Sequence, residues 1–215
     1  GYSSAASDVY KRQFQLIYNR MEKEGYEIHE CFLLNTKPGK LAYTKRSLHM
    51  LKEISDAHYI FLNDACNVTS CISLRKGSSI FQVWHACGAF KKFGQRGTNI
   101  PVPTDIATHA QYNLVSVSGE QVRSIYADAF DVNYQKVQAL GVPRTDHYFN
   151  KKLISKKKRQ IYLKHPKLLF KSVLVYAPTF RDTDGNRNEF HPEIDFDLLS
   201  KSPVSYTHLR AHETA

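Results

Sequence analysis

The sequence predicts an α/β protein built on a parallel sheet, and two observations carry that reading. Short apolar runs of strand length alternate with helix-length segments from residue 14 to residue 176, the pattern of a parallel sheet covered by helices on both faces. The residues with the most evident chemistry, His85 and Arg144, fall just after two of those runs. Open parallel sheets bind their ligands there, beyond the carboxyl ends of the strands.

The elements follow in order. Phe14–Glu24 places Phe14, Ile17, Tyr18 and Met21 on one helical face, and Gly25 ends it. Tyr26–Leu34 reads as a strand. After the Pro38-Gly39 turn, Thr44–Ser55 is a second helix with Leu48, Leu51 and Ile54 turned inward. His58–Leu62 is a short buried strand followed by Asn63-Asp64. Ser78–Trp84 is the next strand and delivers His85 to its carboxyl end. Asn113–Val117 is strand-like, and Ser118 is the expected N-cap of a helix running through Ala127. Val137–Leu140 is a strand that ends in the turn Gly141-Val142-Pro143-Arg144. The basic stretch Lys151–Lys167 is a helical connection, and Ser172–Tyr176 starts a fresh parallel strand leading to Pro178, Thr179, Phe180 and Arg181. Asp182–Asn186 is a polar turn, and Ile194–Leu199 opens a helix.

Charge and cysteine usage narrow the function classes. The chain of 215 residues carries a formal net charge of +10, which calls for an acidic partner: nucleic acid, anionic lipid head groups or a phosphate-rich substrate. Lys151, Lys152, Lys156, Lys157, Lys158 and Arg159 concentrate that charge. The cluster reads as a solvated helix face or as an anionic-surface contact. No recognition helix, zinc finger or RNA-binding aromatic motif accompanies it, so nucleic acid is not expected. Cys31, Cys66, Cys71 and Cys87 form no CxxC pair and no zinc spacing, which suits free thiols in a reducing cytoplasm. No run of eighteen apolar residues predicts a membrane span. His208 and His212 stand at helical i,i+4 spacing without a third ligand, so no metal is assigned to them.

The segment Gln82-Val-Trp-His-Ala-Cys-Gly-Ala-Phe-Lys-Lys-Phe-Gly94 is the most informative in the chain. The only tryptophan precedes His85, small residues allow close backbone approach, and cations follow. Those residue types suit proton transfer beside a phosphate. They equally suit a loop histidine next to a buried tryptophan.

Three blocks in this chain are similar to those of the CDP-glycerol:poly(glycerophosphate) glycerophosphotransferases, the teichoic-acid polymerase and primase family. Trp84-His85 with Gly88 and Lys91 resembles the family's Trp-His-Gly…Lys block, with Ala86 where glycine is commoner. Leu140-Gly141-Val142-Pro143-Arg144-Thr145-Asp146 resembles its Gly-x-Pro-Arg-x-Asp block. Val175-Tyr176-Ala177-Pro178-Thr179-Phe180-Arg181 resembles its Tyr-Ala-Pro-Thr-Phe-Arg block.

The resemblance implies a GT-B-like architecture of two Rossmann-like halves with the donor nucleotide between them. It implies transfer of glycerol phosphate from CDP-glycerol to a lipid-linked wall-polymer primer or a growing poly(glycerol phosphate) chain, releasing CMP. By the matching blocks, His85 would be the general base. Backbone groups of Ala86, Cys87, Gly88 and Ala89 would lie against the donor phosphates, and Lys91 would add positive charge for phosphate or acceptor. Arg144, Pro178, Thr179 and Arg181 would bind donor, although Arg144 could instead pair with Asp146. No cofactor is expected beyond CDP-glycerol as substrate. The expected location is cytoplasmic, peripheral at the inner face of the membrane.

Residues 14–150 are then an acceptor-side Rossmann-like domain, and residues 151–202 a linker and the start of a truncated donor-binding domain. The family's later histidine and serine-rich blocks are absent, so a fragment is expected, inactive by itself. Residues 1–13 and 203–215 resemble translated sequencing-adapter read-through and are set aside from the fold. A CDP-ribitol-using relative, a nucleotide-sugar GT-B glycosyltransferase and a non-catalytic envelope-binding module are the alternative readings.

Overall fold

The computed structural model describes residues 4–33, 39–97, 103–176, 181–183, 186–188, 195, 198 and 206–210, with side chains over 14–33, 39–97 and 107–171 and at 173, 195 and 198. The chain divides into two compact units, Gly1–Phe149 and Asn150–Ala215.

The first unit is built on a four-stranded parallel sheet in the order β1-β2-β3-β4. The strands are β1 (Tyr59–Leu62), β2 (Ser79–Gln82), β3 (Leu114–Ser116) and β4 (Val137–Gln138). The register pairs Ile60 with Ile80, Phe61 with Phe81, Gln82 with Val115, and Val115 with Val137. Because side chains alternate across a strand, Ile60, Leu62, Ile80, Gln82, Val115 and Val137 share one face. All six are buried, with Ile80, Val115 and Val137 fully so. Phe61 and Phe81 lie on the opposite face and stack with ring centroids 5.1 Å apart. Asn113 ties β2 to β3 by accepting from the Ile80 amide through Oδ1 (2.7 Å) and donating its own amide to the Ile80 carbonyl (2.9 Å).

Helices α1 (Ser4–Lys23), α2 (Gly39–Asp56), α3 (Pro103–Ala110) and α4 (Glu120–Phe130) complete this unit. Gly25, at φ +84°, turns the chain after α1. On α2 the inward residues are Met50 and Ile54, whereas Leu48 is 61% exposed. Ile54 and Leu51 therefore face the core as expected, whereas Leu48 does not, and Met50, four residues before Ile54, takes the remaining core position. Gly119, not Ser118, is the N-cap of α4, and it has no side-chain cap. Tyr126 and Phe130, again at i,i+4, drive the inner face of α4 into the core.

The strand expected over Tyr26–Leu34 is not formed among the described residues 26–33. This segment docks by side chains instead of by a backbone ladder. Cys31 and Leu33 pack against the core, the Tyr26 ring sits edge-on to Tyr59 on β1, and His29 binds Glu53 of α2.

In the second unit, α5 (Lys151–Lys164) is capped by Asn150, whose side chain accepts from the Leu153 amide at 3.0 Å. β5 (Ser172–Tyr176) pairs in parallel with β8 (Tyr206–Arg210). β6 (Arg181–Thr183) and β7 (Asn186–Asn188) pair antiparallel, and residues 184–185 of the expected polar turn lie outside the described residues. Of the two flanks set aside from the fold, residues 4–13 belong to α1 and residues 206–210 form β8. The helix expected over Ile194–Leu199 lies mostly outside the described residues. There the Leu198 amide donates to Asp195 Oδ1 at 2.8 Å.

Candidate donor-phosphate and proton-transfer site

The site grows from the carboxyl end of β2. Trp84, two residues past the strand, has φ +50°, a left-handed conformation that costs a bulky residue about 1–3 kcal/mol and persists only where its surroundings enforce it. Two features enforce it here. The Trp84 amide donates to Gln82 Oε1 at 2.9 Å, and its ring is buried edge-on to Phe130 at 5.0 Å with Phe93 at 5.5 Å. The turn sends His85 away from the strand direction while its ring stacks on Trp84 at 4.4 Å.

His85 Nδ1 lies 3.1 Å from the carbonyl oxygen of Asn63, on the loop after β1. A carbonyl can only accept, so Nδ1 must carry the proton in the neutral ring. The lone pair is then on Nε2. That is the tautomer a proton acceptor needs, and a backbone group built from the neighbouring strand fixes it.

Beyond His85, Tyr126 of α4 braces the loop. Its hydroxyl donates to the Ala86 carbonyl at 3.1 Å and, more weakly, to that of Gly88 at 3.4 Å. In a planar trans peptide the N–H points opposite to the C=O. Drawing those two carbonyls toward Tyr126 therefore turns the Cys87 and Ala89 amides to the other side. Successive amides turned to one side of a loop are the raw material of an anion site. Burial, reinforced by the nearby Cys87 thiol, pushes the Tyr126 phenol up to about 12, so it remains a donor at physiological pH.

Arg144 reaches the same loop from the turn after β4. Its Nη2 lies 3.9 Å from Cys87 Sγ. Among the described residues no ion pair joins it to Asp146, whose side chain is exposed. Gly141, at φ +91°, makes the turn that starts this approach, and Ser116 Oγ donates to its carbonyl at 2.7 Å.

His85, Ala86, Cys87, Gly88, Ala89 and Arg144 are therefore brought together in the first unit. Lys91 sits exposed further along the loop, and no hydrogen bond or ion pair links it to His85 or Arg144 among the described residues. Pro178 and Thr179 lie outside the described residues, and Arg181 enters only as backbone of β6 in the second unit. No group of three or more His, Cys, Asp or Glu side chains is placed to hold a metal ion among the described residues.

Tyr126, Gln82 and Asn63 are the positions that sequence reasoning missed. Tyr126 reads as a core residue, four before Phe130 on an apolar face. Gln82 lies within the motif but ends an apolar strand.

A model of the family described as CDP-Glycerol:Poly(glycerophosphate) glycerophosphotransferase matches residues 1–206. The chain belongs to this family. Among curated relatives, the teichoic acid poly(ribitol-phosphate) polymerase of Bacillus spizizenii is 31% identical over 190 residues, which are 86% of this chain and 30% of that protein. The teichoic acid glycerol-phosphate primase of Bacillus subtilis is 31% identical over 153 residues, 66% of this chain and 38% of that protein. The chain thus spans well under half the length of these relatives. A variant of the wall teichoic acid polymerase TagF, soaked with CDPG, shares the fold with a TM-score of 0.65 at 20% identity, over 92% of this chain and 52% of that one. The α/β, GT-B-like class expected from the sequence is the observed one. The family's transferases act in teichoic acid synthesis, and the relatives divide between ribitol phosphate and glycerol phosphate.

Proposed function

We propose that this chain is the acceptor-side half, and the start of the donor-side half, of an enzyme that moves a polyol phosphate from a CDP-activated donor to a hydroxyl of a wall-polymer acceptor. The observation that carries the reading is the Asn63-to-His85 bond, which leaves Nε2 basic on the loop that meets Arg144. The acceptor hydroxyl gives its proton to Nε2 as its oxygen attacks the phosphorus that bears the polyol. The bond from that phosphorus to the bridging oxygen breaks, and CMP departs with the electron pair. In such a transfer, positioning and electrostatic stabilisation are most of the catalysis. Arg144 and the Cys87 and Ala89 amides meet the phosphate charge, with Lys91 supplying longer-range attraction. Pro178, Thr179 and Arg181, carried by the third family block, are further candidates for donor binding. Residues 14–150 and 151–202 divide along the two halves, and the flanks 1–13 and 203–215 stand outside this machinery. CDP-glycerol is the donor we favour, on the family description, and CDP-ribitol is the close competitor.

Incubating the full-length protein with CDP-glycerol, CDP-ribitol or a UDP-sugar, each with a primed acceptor, tests the reading. CMP release from either CDP-polyol supports it, and the preferred polyol sets the subclass. UDP release alone would point to a glycosyltransferase, and no turnover at all to a binding module.

Two substitutions probe donor contact. Arg144→Lys keeps the charge but loses the planar fork that bonds two phosphate oxygens. Donor affinity in the full-length enzyme is expected to fall about tenfold, the worth of roughly one charge-assisted hydrogen bond; unchanged affinity, measured calorimetrically, would remove Arg144 from the site. Tyr126→Phe leaves the Ala86 and Gly88 carbonyls without their donor. It is expected to raise the donor KM severalfold with a smaller change in kcat, and a KM equal to wild type would show that the loop holds its shape unaided.

No helix among the described residues is long and apolar enough to cross a membrane. We place the enzyme at the cytoplasmic membrane surface, where its acceptor is lipid-linked and where the exposed cations of α5 meet anionic head groups at about 1 kcal/mol each. Binding of the full-length protein to anionic vesicles is then expected to weaken with salt. It should weaken further when Lys151, Lys152, Lys156, Lys157, Lys158 and Arg159 are neutralised. Equal binding to neutral vesicles would make the cluster a solvated face.

A further inference from the structure

Beneath the candidate site lies a buried polar chain that the proposed chemistry does not use directly. Gln82, the last residue of β2, is fully buried. Its Oε1 accepts from the Trp84 amide at 2.9 Å. Its Nε2 donates to the Asp64 carbonyl at 3.0 Å and to the Tyr112 hydroxyl at 3.0 Å. Tyr112, also fully buried, is in turn 3.0 Å from His109 Nδ1. The orientation of the carboxamide follows from its partners. Flipping it would set an oxygen against the Asp64 carbonyl and an N–H₂ against the Trp84 N–H.

A primary amide in a sheet face otherwise made of Ile, Leu and Val costs several kcal/mol unless every polar atom is matched. Here one side chain spans two loops, and both loops hold His85. The bond to the Trp84 amide fixes Trp84, the left-handed residue immediately before His85. The Asp64 carbonyl fixes the loop whose previous residue, Asn63, supplies the acceptor for His85 Nδ1. An unconstrained neutral imidazole carries its proton mainly on Nε2, the atom that would have to accept. Something must therefore hold the Asn63 carbonyl against Nδ1.

We propose that Gln82 is a positioning residue that sets both the direction and the tautomer of His85 by bridging the Trp84 amide to the Asn63-Asp64 loop. Its consequence for turnover rests on the reading of His85 as the proton acceptor; its effect on the tautomer does not. The carboxamide holds the Asp64 carbonyl, the loop presents the neighbouring carbonyl to Nδ1–H, and Nε2 keeps its lone pair. Tyr112 accepts the second amide hydrogen and so prevents the carboxamide from rotating, with His109 behind it.

Long-range ¹H–¹⁵N spectra of the chain labelled at histidine nitrogen report the tautomer without any catalysis. In the unaltered chain, neutral His85 is expected as the Nδ1–H form. Gln82→Glu keeps an acceptor for the Trp84 amide but removes the hydrogen bonded to Asp64, and Gln82→Met removes both bonds at similar volume. Each is expected to move His85 to a mixture dominated by Nε2–H while the amide spectrum stays that of a folded protein. In the full-length enzyme the same variants should lower kcat at least tenfold with the donor KM unchanged. An unaltered chain with His85 as Nε2–H, or folded variants that retain Nδ1–H, would overturn the proposal. Should neither variant fold, hydrogen exchange in the unaltered chain decides. The Gln82 carboxamide and Trp84 amide protons are expected to exchange at a common slow rate, and freely exchanging carboxamide protons would overturn it. A shifted tautomer with undiminished turnover would support the positioning role and count instead against His85 as the base.

Discussion

Replacing His85 with alanine in the full-length enzyme is expected to lower turnover by about 10²–10⁴, the usual worth of a positioned general base. The change should fall in kcat, with donor affinity nearly intact, because the phosphate-facing groups are Arg144 and the loop amides and not the imidazole. Folding should be little affected. His85 is only partly buried, its ring lies over Trp84, and the single described hydrogen bond it makes is to a backbone carbonyl that water can reach once the ring is gone. Steady-state CMP release together with a thermal melt separates the two effects. A variant with wild-type kcat would remove His85 from the mechanism, and one that fails to fold would assign it a structural role.

Gly94→Ala is expected to have the largest effect on stability, about 3 kcal/mol, read as a lower urea midpoint of the first unit. Two costs combine. Gly94 has φ +58°, where a Cβ is unfavourable by about 1–2 kcal/mol. That Cβ would also run into the carbonyl of Ala129 on α4, within 3.0 Å of its carbon, and forcing atoms into packed space costs about 1–3 kcal/mol. The neighbour is helix backbone and cannot swing aside. The loop must move instead, against the Arg96–Asp128 ion pair, whose Nε–Oδ2 distance is 2.8 Å. Because Phe93 packs on both Trp84 and Tyr126, displacement would also disturb the His85 loop. An unchanged midpoint would show that the loop has room the structure does not reveal.

These expectations mark where the sequence was readable and where it was not. The strands at Tyr59–Leu62, Ser79–Gln82 and Ser172–Tyr176 were legible because apolar runs bounded by polar residues leave a sheet interior as the natural place to bury them. Tyr26–Leu33 has the same local character, yet it meets the core through alternate side chains and makes no ladder. Strand pairing is a property of the partner edge, and local pattern cannot supply it. The cap of α4 slipped by one residue because glycine also tolerates the extended cap position when no side-chain oxygen is recruited.

The site divides in the same way. His85 and Arg144 could be singled out as candidates because each follows a strand and carries distinctive chemistry, and the structure brings Arg144 to the loop that follows His85. Gln82 and Tyr126 could not, because their partners Tyr112 and Ala86 are 30 and 40 residues away in the chain. A buried glutamine or tyrosine looks like any core residue until the loops it joins are in place.

If an imidazole at position 85 accepts the proton of the attacking hydroxyl, added imidazole must be able to replace it. The His85→Gly variant of the full-length enzyme, given the preferred CDP-polyol and a primed acceptor, is predicted to release CMP only slowly, and to recover in proportion to added free-base imidazole. Turnover at the wild-type rate without imidazole would show that no imidazole accepts the proton at this position.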